Sequence, residues 1–130
     1  MTKNEIVSYW IDSSETDFQA MDNLFKNKHY IWSLFIGHLV IEKLLKAFYV
    51  KNNCEEVPRT HDLLKLADKA KLDLHEEQKD FLDEVTTFNI KARYPDYKNR
   101  FQKKATSRFT GDYIKKIKEF RLWILNRLNN

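Results

Sequence analysis

Residues 34–51 read LFIGHLVIEKLLKAFYVK, a helical run whose apolar residues occur nearly all round the helix. A helix that is apolar over most of its circumference is buried among other elements. The stretch therefore predicts the central helix of an all-helical domain. Its charged residues Glu42 and Lys46 are four positions apart, which places their side chains on one face, one turn apart. They can pair with each other or orient a ligand.

Segments with helical periodicity lie on both sides of the central run. Their apolar residues recur at spacings of three and four, which is typical of amphipathic helices. Four such helices are predicted at residues 4–26, 61–71, 75–92 and 110–128. Thr60 is positioned to cap the short helix at residues 61–71. The connection between the first helix and the central helix is short, so these two are predicted to be antiparallel neighbours. The sequence predicts an all-α, antiparallel up-down four-helix bundle with one additional short helix.

Composition narrows the class of protein. A chain of 130 residues with two glycines and two prolines has few turn signals, so we predict a single helical domain over residues 1–130. The single cysteine, Cys54, cannot form an internal disulfide, and no apolar leader or membrane-spanning run is evident. We expect a cytoplasmic protein without a membrane partner, and without a metal or other cofactor, since paired cysteines, HExxH strings and glycine-rich loops are absent.

Charge is divided unevenly along the chain. Residues 1–90 hold 11 Lys and Arg against 16 Asp and Glu, whereas residues 91–130 hold 12 against 3. The basic segment 98–108 can attract a polyanion such as RNA. It can equally meet acidic residues of the same bundle or of a second subunit, and we favour this second interpretation.

Four motifs together resemble the HEPN family of small helical domains. The strongest is HLVIEKLLKAF at residues 38–48, followed by Thr60-His61-Asp62-Leu63 and the RYPD turn at residues 93–96. The fourth is the first helix, with Trp10, Asp17, Ala20 and Leu24, followed by Tyr30. The resemblance spans about residues 8 to 128 and depends on the order and spacing of these motifs.

The resemblance implies a helical bundle that forms a homodimer. It also implies a nucleotide or polynucleotide site, and a minimal nucleotidyltransferase as partner in a toxin-antitoxin pair. Family members that cut RNA resemble one another in an Arg followed four to six residues later by His. Here the sole Arg that precedes any His is Arg59, two residues before His61 and sixteen before His75. The sequence thus departs from the nuclease motif, and we lean against an enzyme.

Seven residues are candidates for a ligand or phosphate site: Glu42, Lys46, His61, Arg93, Tyr94, Asp96 and Arg100. Each also has a structural interpretation. Glu42 and Lys46 can form an ordinary ion pair, and His61 can be a plain helix-start residue rather than a phosphate ligand. Arg93 beside Tyr94 can hold a phosphate and stack a base, or can cap a helix while Tyr94 packs in the loop or against a second subunit.

Three functions remain open. The preferred one is a noncatalytic, homodimeric HEPN protein that binds nucleotide and associates with a nucleotidyltransferase. The alternatives are a metal-independent ribonuclease with an atypical site, using His61 or His38 as general base, and a purely structural helical interaction module. No catalytic residue is assigned.

Overall fold

The computed structural model describes residues 1–53, 56–96 and 99–129. This part of the chain contains six helices and no strand, which confirms the predicted all-α class. In chain order the helices are α1 (Lys3–Lys26), α2 (Tyr30–Asn52), α3 (Leu63–Lys69), α4 (Glu76–Arg93), α5 (Arg100–Lys104) and α6 (Ser107–Leu128).

Helix α2 is the central helix, as the sequence predicts. It contacts α1, α3, α4 and α6, and its apolar side chains are buried over most of the circumference: Leu34, Val40, Ile41, Leu44, Leu45, Ala47, Tyr49 and Val50. Gly37 lets neighbouring helices approach closely, because a Cβ there would lie 2.6 Å from Ile117 Cδ1 of α6 and 3.2 Å from Met21 Sδ of α1. The core therefore surrounds α2.

Side-chain contacts give the helix directions. Asp22 of α1 pairs with Lys118 of α6, and Glu15 pairs with Arg121, so these two helices are antiparallel. The rings of α4 and α6 meet in the same reversed order: Phe88 with Tyr113, and Phe81 with Phe120. On α1 and α2, Asp17 pairs with Lys43 and Lys46 lies over Trp10, while Ser33 near the start of α2 bonds to Met21 near the end of α1. These pairs describe the up-down order of a four-helix bundle.

Helix α5 is a departure from the predicted pattern. The sequence predicts a polar connection here, but Arg100–Lys104 forms a five-residue helix. Its buried Phe101 packs on Phe88 of α4, with ring centroids 5.6 Å apart. One apolar residue in five cannot produce a periodic pattern, so tertiary packing rather than local sequence specifies this helix.

Two helix starts also differ from the prediction. The cap of α3 is Asp62, whose side chain accepts from Lys65 N, while Thr60 Oγ1 accepts from the amide of Asp62 instead. Helix α6 begins at Ser107 rather than near residue 110, because Thr106 caps it by accepting from Phe109 N. The first prediction chose Thr60 where Asp62 makes the cap, and the second placed the start of the helix about three residues too late. The predictions for Cys54, and for the start of the basic segment at Lys98, lie outside the described residues.

Candidate functional site

The predicted Glu42–Lys46 pair forms, and it lies on one stripe of α2. Phe35, His38, Glu42 and Lys46 are spaced by three or four residues and share one face of the helix. The Glu42 side chain is only 5% exposed, and Lys46 Nζ lies 3.3 Å from its Oε2. A carboxylate so deeply buried needs charged or hydrogen-bonding partners to remain ionised. Lys46 is one of them.

His61 is the second partner of Glu42. Its Nδ1 lies 2.7 Å from Glu42 Oε1, and because an ionised carboxylate only accepts, Nδ1 donates. The His61 side chain is nevertheless 62% exposed, since it lies in the irregular segment 56–62 rather than in a helix. This bond fixes the ring and turns Nε2 away from the carboxylate. The structure thus joins three predicted residues, Glu42, Lys46 and His61, in one cluster.

His38 is a second residue of α2 that binds segment 56–62. The ring is fully buried, and its Nε2 donates to the carbonyl oxygen of His61 at 2.9 Å. Burial lowers the pKa of His38, because the charged imidazolium is poorly solvated there. Its Nδ1 has no hydrogen-bond partner among the described residues. The neutral ring therefore positions the backbone of His61, and does not itself face solvent.

These contacts form one wall of a groove of about 830 Å³ between α1, the end of α2 and segment 56–62. We call it the basic groove. Its apolar lining comes from Ile6, Trp10, Val50, Val57 and Pro58, and its cationic lining from Lys3, Lys46 and Arg59, beside His61 and the carboxylate of Glu56. Lys46 Nζ lies 5.0 Å from the centroid of the Trp10 ring. The groove thus combines an apolar floor with three cationic side chains, of which Lys46 is held in place by Glu42.

Lys3 and Arg59 are groove residues that sequence reasoning missed. Lys3 lies in the first turn of α1 and Arg59 in a loop, so no spacing rule connects them to Lys46. Only the packing of α1 against α2 brings the start of α1 beside the end of α2. Neither cation has an ion pair or hydrogen bond with another of the described residues, which leaves both available to a ligand.

Arg93 and Tyr94 lie at the other end of the α2 stripe. The Arg93 guanidinium lies 5.8 Å from the Phe35 ring centroid and 5.5 Å from that of Tyr94, and its Nε donates to the carbonyl of Asn89. Phe35 is about 10 Å along the axis from Glu42. Arg93 therefore shares a face with Glu42 but does not line the basic groove.

Asp96 and Arg100 pair with each other instead of meeting the cluster. Arg100 Nε lies 3.3 Å from Asp96 Oδ2, and the Arg100 amide donates to Asp96 Oδ1 at 2.8 Å. Asp96 thus supports the start of α5. The seven predicted candidates divide accordingly into a groove cluster, an arginine-aromatic contact and a helix-start pair.

Two amides at the start of α3 already donate to side-chain oxygens. The amide of Leu63 donates to Thr86 Oγ1 at 3.1 Å, and that of Lys65 donates to Asp62 Oδ1. His61 consequently depends on its side chain, not on the helix start, for any contact with phosphate. Within residues 1–53, 56–96 and 99–129, no three His, Cys, Asp or Glu side chains are grouped closely enough to hold a metal ion.

Comparison with known proteins gives one match. The sequence model of the HEPN domain matches residues 7–128, which is nearly the whole chain. No curated protein and no solved structure matches the chain. Among the described helices, none combines the length and apolar character required to cross a bilayer. The match covers α1 to α6 and includes every residue of the Glu42, Lys46 and His61 cluster, and the chain belongs to the HEPN domain family.

Proposed function

We propose that this HEPN protein is a noncatalytic homodimer that binds a nucleotide in the basic groove and works with a minimal nucleotidyltransferase in a toxin-antitoxin-type pair. The observation that supports the binding role best is the buried Glu42 carboxylate, which holds Lys46 and His61 at the edge of an apolar groove. Buried ion pairs are costly to assemble, and they are typical of places where side chains must keep a fixed position.

The groove suits a ligand with a flat apolar part and an anionic part. A nucleobase can pack on the apolar lining, which includes Trp10, Val57 and Pro58. The phosphates then lie near Lys3, Arg59 and His61, where Nε2 is open to hydrogen bonding. Charge-assisted hydrogen bonds to phosphate are stronger than neutral ones, so Lys3 and Arg59 supply affinity while the floor supplies orientation.

Nucleotide binding is tested by calorimetric titration with nucleoside mono-, di- and triphosphates. Replacing Lys3 and Arg59 together by Ala is expected to weaken binding about tenfold, which corresponds to about 1.4 kcal/mol. The matched control replaces Lys65 and Lys69, two exposed lysines of α3, and should leave affinity unchanged. Equal affinity in the two double variants, or no heat with any nucleotide, contradicts the binding role.

The proposed dimer uses an exposed apolar patch formed by Trp32, Ile90 and Tyr94. These side chains are 49%, 54% and 68% exposed. Phe35 and Arg93 connect Trp32 to Tyr94 through ring contacts, and Ile90 lies four residues before Tyr94, at the end of α4. Exposed aromatic groups around an arginine are the residues that protein interfaces favour. Light scattering after size exclusion should report a dimer, and Trp32→Glu with Tyr94→Glu should convert it to a monomer. A wild-type monomer at high concentration overturns this assignment.

A nucleotidyltransferase partner is the least direct part of the proposal. Its support is membership of the HEPN family together with the resemblance of the α2 motif. Purification of tagged protein from its native host should recover a protein of nucleotidyltransferase fold. Recovery of other proteins alone favours a structural interaction module instead.

A second candidate function rests on the geometry of His61. A carboxylate that binds Nδ1 fixes the tautomer with a lone pair on Nε2, which is the arrangement of a general base. The ribonuclease hypothesis then assigns Glu42 the orienting role and His61 the proton transfer. Incubation with RNA in EDTA tests this: cleavage that is lost in His61→Ala but kept in His29→Ala favours the enzyme, whereas intact RNA supports the noncatalytic proposal.

A further inference from the structure

A second groove, of about 620 Å³, lies between α4 and α6 on a surface that the basic groove does not include. We call it the acidic groove and define it by a floor of Phe81, Phe120 and Trp123 and a rim of Glu77, Asp80 and Glu119. The floor is a continuous aromatic surface. The ring centroids of Phe81 and Phe120 are 5.6 Å apart, and those of Phe120 and Trp123 are 5.4 Å apart.

The rim carboxylates differ from most acidic residues near the core. Asp22 and Glu42 each pair with two basic side chains. In contrast, no ion pair or hydrogen bond from any described residue reaches the side chains of Glu77, Asp80 or Glu119. They surround an aromatic floor while their charges remain uncompensated within the described chain. The groove is thus prepared for a cation that comes from outside.

The cations that line the acidic groove do not neutralise it. Lys116 Nζ lies over the Tyr113 ring, 4.8 Å from its centroid, and the Arg127 guanidinium lies over the Trp123 ring, 4.7 Å from its centroid. No ion pair joins either cation to the rim in the described part of the chain. His75 uses its Nδ1 to accept the amide of Gln78 at the start of α4. An anionic ligand such as a nucleotide would therefore meet repulsion here, because the three rim carboxylates outnumber the two cations, Lys116 and Arg127.

A guanidinium group fits this combination better than other cations. Its plane stacks on aromatic rings, and its edge donates two parallel hydrogen bonds to a carboxylate. We propose that the acidic groove is a docking site for an arginine-rich segment of a partner protein. The arginine planes pack on the aromatic floor, where Arg127 of the chain already lies over the Trp123 ring, while their edges pair with the rim carboxylates.

The chain's own basic segment is a poorer occupant than a foreign one. Arg100 is paired with Asp96, and Lys104 lies 3.6 Å from Glu84, so part of its charge is already compensated within the chain. Phe101 is buried against α4 and holds α5 in place. A second copy would have to release these contacts before its segment could enter the groove.

The test uses Trp123 as the reporter and a short peptide alternating arginine and leucine as the probe. In a Trp10→Phe and Trp32→Phe background, Trp123 is the sole tryptophan of the chain. Saturable quenching of its fluorescence by the arginine peptide is expected, with weaker binding of the lysine analogue and none of the glutamate analogue. Equal response to the arginine and glutamate peptides overturns the proposal, because apolar contact would then explain binding.

The matched variants change net charge equally. Glu77→Gln, Asp80→Asn and Glu119→Gln together should weaken the arginine peptide about tenfold. Asp12→Asn, Asp68→Asn and Asp73→Asn, at exposed positions outside the groove, should leave the affinity unchanged. Equal loss in both triple variants contradicts a local site. If the wild-type protein is an oligomer without peptide and the rim triple variant is not, a second copy occupies the groove and the proposal fails.

Discussion

The basic groove and the acidic groove have similar linings, but their charged side chains differ in whether a partner within the chain holds them in place. Each has an apolar or aromatic floor between two elements and a rim of mainly one sign. In the basic groove, Lys46 and His61 are fixed by the buried Glu42. In the acidic groove, Glu77, Asp80 and Glu119 have no such partner among the described residues.

This difference separates two kinds of recognition. Side chains held by a buried partner are preorganised, which favours a small ligand whose binding cannot order many groups. Free carboxylates on long side chains adapt their positions, which suits an extended segment with several cations. One small domain can therefore carry a preorganised site and an adaptable one on different faces.

The largest expected effect follows from Glu42→Gln, which removes the charge that organises the basic groove. Lys46 would remain largely buried without its counter-ion, and breaking such a pair costs about 3 kcal/mol of the free energy of unfolding. Urea unfolding measures this change. The control is Glu76→Gln, because Glu76 pairs with Lys79 on the surface and should matter little. Similar losses in both variants would show that the basic groove is not preorganised by Glu42.

Charge reversal should separate the two grooves. Lys3→Glu with Arg59→Glu is expected to weaken nucleotide binding by about a hundredfold, and arginine-peptide binding little, because repulsion replaces attraction at one groove only. Glu77→Lys with Glu119→Lys should weaken arginine-peptide binding strongly and nucleotide binding little. Titration of each variant with both ligands measures this. If either variant loses both ligands equally, the grooves do not act as separate sites.

The stability of the protein should fall on mild acidification because of His38. Its pKa is lowered by burial, so the unfolded chain takes up a proton near pH 6.5 where the folded chain does not. The stability that neutral His38 provides is complete above about pH 6.5 and is lost as pH falls toward the lowered folded pKa, by at most about 1.4 kcal/mol per pH unit. Chemical unfolding between pH 7 and pH 5 measures this slope.

His38→Gln should reduce that slope while keeping an amide donor for the carbonyl of His61. His29→Gln, at an exposed position, should keep the wild-type slope. The same acidification should also loosen the wall of the basic groove, since His38 holds it. An unchanged slope in His38→Gln would remove His38 as the cause.

The smallest effect concerns the position of α6, which carries one side of the acidic groove. A Cβ at Gly37 would lie 2.6 Å from Ile117, so Gly37→Ala should displace α6, cost about 1 kcal/mol and weaken the arginine peptide. Gly111→Ala meets Phe25 at an ordinary 3.4 Å and should stabilise α6 by up to about 1 kcal/mol. Thermal unfolding compares the two, and equal changes would argue against the close approach at Gly37.

Most of the fold could be predicted because long helices carry many periodic residues. The prediction for the central helix began from a run of apolar residues that tolerates small errors at its ends. The sequence prediction missed α5, because Phe101 alone supplies the packing of this helix. It also failed at the start of α3, where Asp62 rather than Thr60 makes the cap. Both errors involve one or two side chains, too few to create a pattern.

Only part of the candidate site could be predicted from the sequence. The Glu42–Lys46 pair follows from helical spacing, whereas its contact with His61 spans nineteen positions and depends on the path of segment 56–62. Arg59 has no local signal at all. The prediction placed Arg93 and Arg100 with this cluster as candidates for one phosphate site, Arg93 because an aromatic residue follows it and Arg100 because it belongs to the basic segment, but the fold places both outside the groove.

Segment 56–62 has a structural consequence of its own. It is joined to α2 by the side chains of His38 and Glu42, and it contributes no turn of helix to the bundle. Both bonds end on His61, so residues 56–60 before it can be exchanged or lengthened while the hydrogen bonds of every long helix stay intact. Sequence changes in segment 56–62 alone can therefore alter the ligand preference of relatives that share the same helices.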